Sequence, residues 1–350
     1  MNAPDAIGTA RLVDADKAPR LLDETGPGSD RSKFIGGSDV AAILGLSHWS
    51  TPLTLWEKKT GRFVEPPDAG KRKLFERGKR WEQPAFEMLV DILRDRGHEV
   101  VEVAASRRYQ DGEFPFLACE IDREIILDGE FCNVEVKTVH PFAAKDWGDF
   151  EDEDGNLTDQ VPTYYATQAQ HGLGITGIGR CVVGCLIGAD NMLPYFVDRD
   201  DALIADIRAA CVKFWNENIL ADRAPDPINL ADMKRVMYAL KGRPVELDEV
   251  TLGILRRLAS ISKQMSALKE VKDECTFQVG DFVRRAWQLN DVETAAENAL
   301  LLFQGVEVGS WKKQTTHTVD EKKLAALYPE IRDKCDRSTT FRVLRTKKTL

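Results

Sequence analysis

Apolar positions recur in two rhythms along the chain, and the switches between them outline its elements. Neither rhythm holds up to Asp30: residues 1 to 30, rich in Ala, Asp, Gly and Pro, have the look of a flexible tail. A short helical run from about Asp39 to Leu44 stops at Gly45. TPLTLWEKKTG predicts a second helix, with Pro52 in its permissive first turn and Gly61 as its end. A long helix, about Lys71 to Arg96, closes at Gly97. The period then drops to two: HEVVEVA, CEIDREIIL and FCNVEVKTVH predict strands, the last two joined by the turn DGE. A helix from near Pro162, two more strands (GRCVVGCLIG and MLPYFVD) and a helix from about Asp200 to Ile219 complete an α/β pattern. The two prolines of ADRAPDPIN mark a linker. Beyond it come helical runs at about 247 to 274 and 281 to 300, two short strands around Gly305, and a basic end, FRVLRTKK. The organisation expected is a tail (1–30), an α/β core (31–225) and a helical C-terminal region with a short β-hairpin (226–350).

Composition removes several classes of function. The 350 residues suffice for a substantial core. No segment approaches the roughly 18 apolar residues of a membrane span, and the start lacks a secretory pattern, so a soluble, cytoplasmic protein is expected. Seven scattered cysteines with no C-x-x-C pair disfavour disulfide frameworks and zinc or iron–sulfur sites; reduced core thiols are the simpler reading. The net charge of −9 excludes a uniformly basic coat, but its distribution is uneven. KRKLFERGKR gathers Lys71, Arg72, Lys73, Arg77, Lys79 and Arg80 at one helix start, while DWGDFEDEDGNLTD is acid-only. One positive channel on an acidic body fits this split, as do two separately solvated faces.

The chemistry concentrates in the hairpin. In FCNVEVKT, alternation sends Asn133, Glu135 and Lys137 to one face and Val134 and Val136 to the other. A two-residue turn at Asp128 and Gly129 sets Asp122 opposite Glu135; a turn at Gly129 and Glu130 sets it opposite Lys137. Both registers place Asp122 with Glu135 and Lys137, whereas a three-residue loop with a bulge changes the detail. Two facing carboxylates repel unless something neutralises them, and hard oxygen ligands suit Mg²⁺, with Mn²⁺ as a substitute. The bland reading is a surface ion-pair lattice. On the long helix, Glu82 precedes Ala85, Phe86 and Leu89 by three, four and seven residues and so lies on the apolar stripe, where a carboxylate needs a partner.

Asp122, Glu135 and Lys137 form a D-x(12)-E-V-K pattern that resembles the PD-(D/E)XK nuclease core. The wider order of IGGSDVAAILG, TPLTLWEKKTG, RGKRWEQPAFE, the hairpin and YYATQAQHGL resembles the YqaJ-like viral recombinases, relatives of phage lambda exonuclease. The resemblance implies a restriction-endonuclease-like α/β fold: a central mixed sheet flanked by helices, here with an α-rich C-terminal extension. It implies that Asp122, Glu135 and the Val136 carbonyl bind catalytic metal, that Lys137 positions or activates water, that Glu82 supports the site through water, and that Gln168 abuts it. Arg31 and Ser38 match the pair that receives a terminal 5′ phosphate. The implied activity is Mg²⁺-dependent 5′-to-3′ digestion of linear duplex DNA, leaving 3′ overhangs for recombination, in a bacterial or phage-infected cell. A single-strand annealing protein as partner and a ring-shaped trimer are implied with it. A structure-specific or endonucleolytic enzyme on the same hairpin, and a non-catalytic DNA-end-binding protein, are the alternatives.

One departure is Arg123, where the family often has glycine, with Glu120 on the same strand face as Asp122 and open to sharing its role. His140 and His171 lack metal-ligand spacing and read as structural. Tyr164, Tyr165, Trp49 and Trp81 fit core positions or stacking positions at a DNA end.

Overall fold

The computed structural model describes residues 19–22, 30–62, 69–238, 244–286 and 299–311, with Ala326 and Glu330. Helix α1 (Gly37–Ile43) and helix α2 (Pro52–Lys59, capped by Thr51) precede the amphipathic α3 (Ala69–Asp95). Strands β2 (Val100–Gln110), β3 (Ala118–Leu127) and β4 (Glu130–Val139) form an antiparallel meander. Helix α4 (Thr163–Thr176) then crosses over to β5 (Arg180–Ile187), which runs parallel to β4, and β6 (Asn191–Asp198) returns antiparallel. With β1 (Arg20–Leu22) at the far edge, the sheet order is β1-β2-β3-β4-β5-β6. Helix α5 (Asp201–Phe214) ends in a π turn, Trp215–Leu220. The expected mixed sheet flanked by helices is present. β1 falls within the segment that looked like a tail, because three residues on a sheet edge are too few to show a period.

The apolar stripe of α3 (Ala85, Phe86, Leu89, Leu93) packs on Ile125, Val134, Val182 and Leu186. Ala169 and Leu173 of α4 pack with Cys181, Val183, Cys185 and Tyr195. A further cluster joins Ile35, Val40, Trp56, Ile121, Phe214 and Trp215. Five cysteines are buried thiols and Cys275 is an exposed one; Cys335 lies outside the described residues.

The chain divides into two compact units, residues 1–236 and 237–350. Helix α6 (Leu230–Tyr238) starts within the first. Its Asp232 is buried and accepts a hydrogen bond from the Thr51 hydroxyl at 2.8 Å, at the start of α2. In the second unit a single helix, α7 (Glu249–Ala286), joins the first expected helical run to the start of the second, most of which lies outside the described residues; β7 (Ala299–Phe303) and β8 (Val306–Trp311) pair around Gly305, as the pattern predicts. Residues 287–298 and the basic end FRVLRTKK lie outside the described residues. No helix among the described residues is long and apolar enough to cross a membrane.

Candidate active site

The β3–β4 ladder runs from Leu127↔Glu130 to Arg123↔Val134, so the turn is Asp128–Gly129. Both residues have positive φ (51° and 87°), the backbone that a two-residue hairpin demands and that Asp-Gly supplies. The next rung would pair Asp122 with Glu135. Instead the ladder stops there, and Asp122 Oδ2 accepts the Val136 N–H at 2.8 Å. On its other side, the rung between Ala105↔Arg123 and Arg107↔Ile121 is missing as well, at Ser106, which has a positive φ of 50°. Regular pairing thus breaks on both sides of Asp122, the kind of backbone irregularity that tends to accompany functional sites.

Glu135, buried in the sheet, meets the Lys137 ammonium through Oε1. Gln168, on α4, bridges the pair: its Nε2 donates to Glu135 Oε1 at 2.5 Å and its Oε1 accepts from Lys137 at 3.2 Å. Lys137 also lies 4.9 Å from the Tyr165 ring centre. Burial, and then the Glu135 carboxylate, push the Asp122 carboxyl up to about 8; Lys137 offsets part of this. For Lys137, burial acts to lower its pKa, but Glu135 and Asp122 together outweigh it and hold the ammonium above its ordinary value. The cavity beside this group is lined by Gly37, Glu120, Asn133, Glu135 and Gln168. Asn133 is buried, donating to Thr176 at 3.1 Å, and its Oδ1 has no protein partner. Glu120 is exposed at the cavity.

Glu82 faces the sheet from α3, as its stripe position predicts, and its carboxylate is ion-paired at 2.8 Å to Arg123. It adds to the negative field at Asp122. Arg123 is buried over the Phe86 ring, 5.4 Å from its centre, and also donates to Gln83 and to the Asp122 carbonyl. The residue that departs from the family pattern therefore anchors Glu82 beside the site.

Arg31 and Ser38 meet directly, Nη2 to Oγ at 3.1 Å, both exposed. Ser38 lies inside α1 and not ahead of it, because the helix starts at Gly37, earlier than the expected start at Asp39. The cap is Gly36, whose N–H is held by the Asp39 carboxylate at 3.0 Å. Gly37 has a different use: a Cβ there would stand 2.9 Å from Gln168 Cγ, so glycine lets the start of α1 close on the bridging amide.

Lys59 was not singled out from the sequence. Its buried ammonium donates to the carbonyls of Arg31 (2.6 Å) and Phe34 (2.5 Å) and pairs with Asp39 at 2.7 Å, fixing the segment that carries Arg31. Burial lowers its pKa. The signal was available: Lys59 follows Leu55 and Trp56 by four and three residues, on the same apolar stripe.

In the basic cluster Arg72, Lys73, Lys79 and Arg80 are exposed, Arg77 is half-buried with Nη2 3.5 Å from the Gly188 carbonyl, and Lys71 lies in the first turn of α3. His171 is buried against the Ala118 carbonyl at 3.0 Å, a structural position, and His140 starts the 3-10 turn Pro141–Asp146. Trp81, on α3, packs partly buried against the core cluster of that helix and the sheet, whereas Trp49 is 70% exposed.

Residues 29–179, which contain every site residue expected from the sequence, match the YqaJ-like viral recombinase domain. The chain is 28% identical over 325 residues to the uncharacterized protein YqaJ of Bacillus subtilis (strain 168), covering 89% of this chain and 91% of that one. It is similar to an alkaline exonuclease, LHK-Exo, from Laribacter hongkongensis (TM-score 0.38, 18% identity, 55% of this chain and 90% of that one). It is also similar to a phage-related exonuclease from Haemophilus somnus 129PT (TM-score 0.34, 13% identity, 54% and 96%).

Proposed function

We propose that this chain, whose residues 29–179 match the YqaJ-like viral recombinase domain, is a divalent-metal-dependent deoxyribonuclease that digests one strand of linear duplex DNA from a 5′ end. The observation that carries this is the meeting of Asp122, Glu135, Lys137 and Gln168 at a break in the sheet. Two carboxylates close enough for one to raise the pKa of the other make a site that favours a cation.

The donors fit Mg²⁺ rather than a softer ion. Among the described residues no cluster of three His, Cys, Asp or Glu side chains has metal-holding geometry. Asp122, Glu135 and the Val136 carbonyl offer an oxygen-only partial set, which suits an ion that keeps several waters and binds substrate phosphate. When bound, the metal supplies charge neutralisation at the phosphate and a more acidic water. Lys137, held as an ammonium, orients the attacking water and stabilises charge developing on the phosphoryl oxygens rather than serving as a base in its resting state. Gln168 fixes the direction of both Glu135 and Lys137. Glu82, clamped by Arg123, extends the acidic wall. Arg31 and Ser38 receive the 5′ phosphate, and Arg72, Lys73, Lys79 and Arg80, with Lys71 and Arg77 on the same helix, hold backbone phosphates. The product, duplex with a 3′ overhang, is the substrate of a single-strand annealing protein, which the proposal names as partner; a ring-shaped homo-oligomer belongs to the same proposal.

The test is digestion of linear and covalently closed duplex, with and without a 5′ phosphate, in Mg²⁺ and in EDTA. Cleavage is expected only of the linear, phosphorylated form in Mg²⁺, with a loss of at least about 100-fold in Lys137→Ala. Undiminished cleavage by Lys137→Ala overturns the site assignment, and efficient cutting of closed circles makes the enzyme an endonuclease. Arg31→Ala is expected to lose the phosphate preference while retaining cleavage.

A further inference from the structure

Trp49 is 70% exposed, an unusual place for the largest apolar side chain, yet it is not loosely held. Its loop is braced by the Ser47 hydroxyl, which accepts from the N–H groups of Trp49 and Ser50 at 3.2 Å each, and by a 3.0 Å contact between the Ser50 and Thr54 hydroxyls. Tyr164 meets the indole at 5.0 Å and 87°, and His48 at 6.0 Å and 89°. Both contacts are edge-to-face, so neither ring lies flat on the indole, and its 70% exposure leaves aromatic surface open to a ligand.

The position of that surface gives it meaning. Tyr164 lies four residues before Gln168 on α4, one helical turn or about 6 Å along the axis from the amide that bridges Glu135 and Lys137. Tyr164 touches Tyr165 at 4.5 Å, and Tyr165 carries the Lys137 ammonium at 4.9 Å. The same α1 whose start holds Ser38 and presses Gly37 against Gln168 runs directly into the loop of Trp49. The phosphate pair, the carboxylate–lysine group and the indole thus share the rim where α1 meets α4.

We propose that Trp49 is a stacking platform for a nucleobase of the strand end being cut. This rests on the nuclease reading above and names how that site holds its substrate. Every base presents a π-face, so the platform grips the end without choosing its sequence. It favours a terminal base that has left its pair, which brings the adjoining phosphodiester within reach of Lys137. Trp49 touches the base and not the reacting phosphate, so its effect belongs in binding.

The experiment uses the full-length chain carrying Lys137→Ala, in Mg²⁺, with a 5′-phosphorylated duplex whose 5′-terminal base is 2-aminopurine, a fluorophore dimmed by stacking. Binding is expected to quench the probe, and Trp49→Ala to abolish the quench and weaken binding about 10- to 100-fold. In the otherwise wild-type chain, Trp49→Ala raises KM by a similar factor and leaves kcat within a few-fold. Trp49→Phe restores most of the effect; Trp49→Leu, apolar but without a π-face, does not. An unchanged quench and KM in Trp49→Ala, or full rescue by Leu, overturns the platform while leaving cleavage by the unmutated enzyme intact. Absence of cleavage by the unmutated enzyme overturns the nuclease reading itself.

Discussion

At the scale of single residues, the site trades stability for function at Asp122, and the sign of that trade can be measured. A carboxyl raised to about 8 in the fold, against 3.8 in the unfolded chain, keeps a proton that the unfolded chain gives up. Stability of the metal-free protein therefore falls as pH rises through that window, by at most about 1.4 kcal/mol per pH unit for one proton. His171 has the opposite sign. Burial lowers its pKa below 6.5, so its contribution is lost as pH falls, and a decline in stability as pH rises from 6.5 to 8 carries the sign of Asp122 and not of His171. Thermal unfolding in EDTA across that range should show a declining Tm; Asp122→Asn should flatten the decline, raise Tm at pH 8, and abolish cleavage. A pH-independent Tm in the unmutated protein would remove the strain assigned here to Asp122. A second residue makes a separate point. Gly37→Ala adds a methyl group 2.9 Å from Gln168 Cγ, and the bridging amide must move. Alanine suits a helix better than glycine, by up to about 1 kcal/mol, so Tm should hold while kcat falls about 10- to 100-fold through misplaced Glu135 and Lys137. A variant that lost Tm and activity together would show packing damage instead.

The elements show which parts of this were legible from the chain alone. The hairpin was readable because three local signals agree: alternation on β4, an Asp-Gly turn that accepts positive φ, and a register tied to that turn. Agreement between levels also made the stripe of α3 readable, and with it the inward direction of Glu82. The start of α1 was misplaced because Ser38 is a good cap by type, yet the Asp39 carboxylate already holds the Gly36 N–H and sets the start earlier. Arg123 and Lys59 stayed obscure for a different reason. Their partners lie far along the chain: Glu82 is 41 residues from Arg123, and Phe34 and Asp39 are 25 and 20 from Lys59. Periodicity marks Lys59 as facing inward, but it does not encode which distant groups either side chain meets. The Asp122 carboxylate on the Val136 amide was equally hidden, since hairpin arithmetic supplies the rung that this contact interrupts.

At the scale of the whole molecule, every group assigned to the reaction lies between Arg31 and Gln168, inside the first of the two compact units. That unit does not end at the proline-rich segment. It continues to residue 236, and the reason is chemical: Asp232, 1% exposed, takes the Thr51 hydroxyl at the start of α2 and the Ile228 N–H at 3.3 Å. The same α2 carries Lys59, which fixes the backbone around Arg31. A truncation can therefore separate folding of the site from everything the second unit does. Residues 1–238 should fold and cleave linear duplex at a rate within a few-fold of the full chain under single-turnover conditions. Residues 1–225, cut at the boundary that the prolines suggest, lose Asp232 and should be less stable by about 1–3 kcal/mol, read as a lower Tm. Their preference for a 5′ phosphate should weaken before cleavage does, because the perturbation reaches Arg31 through α2 and Lys59 and leaves the hairpin untouched. If the longer fragment folds but does not cleave, then the second unit contributes to the reaction, and α7 or the β7–β8 hairpin becomes the place to look for the missing group.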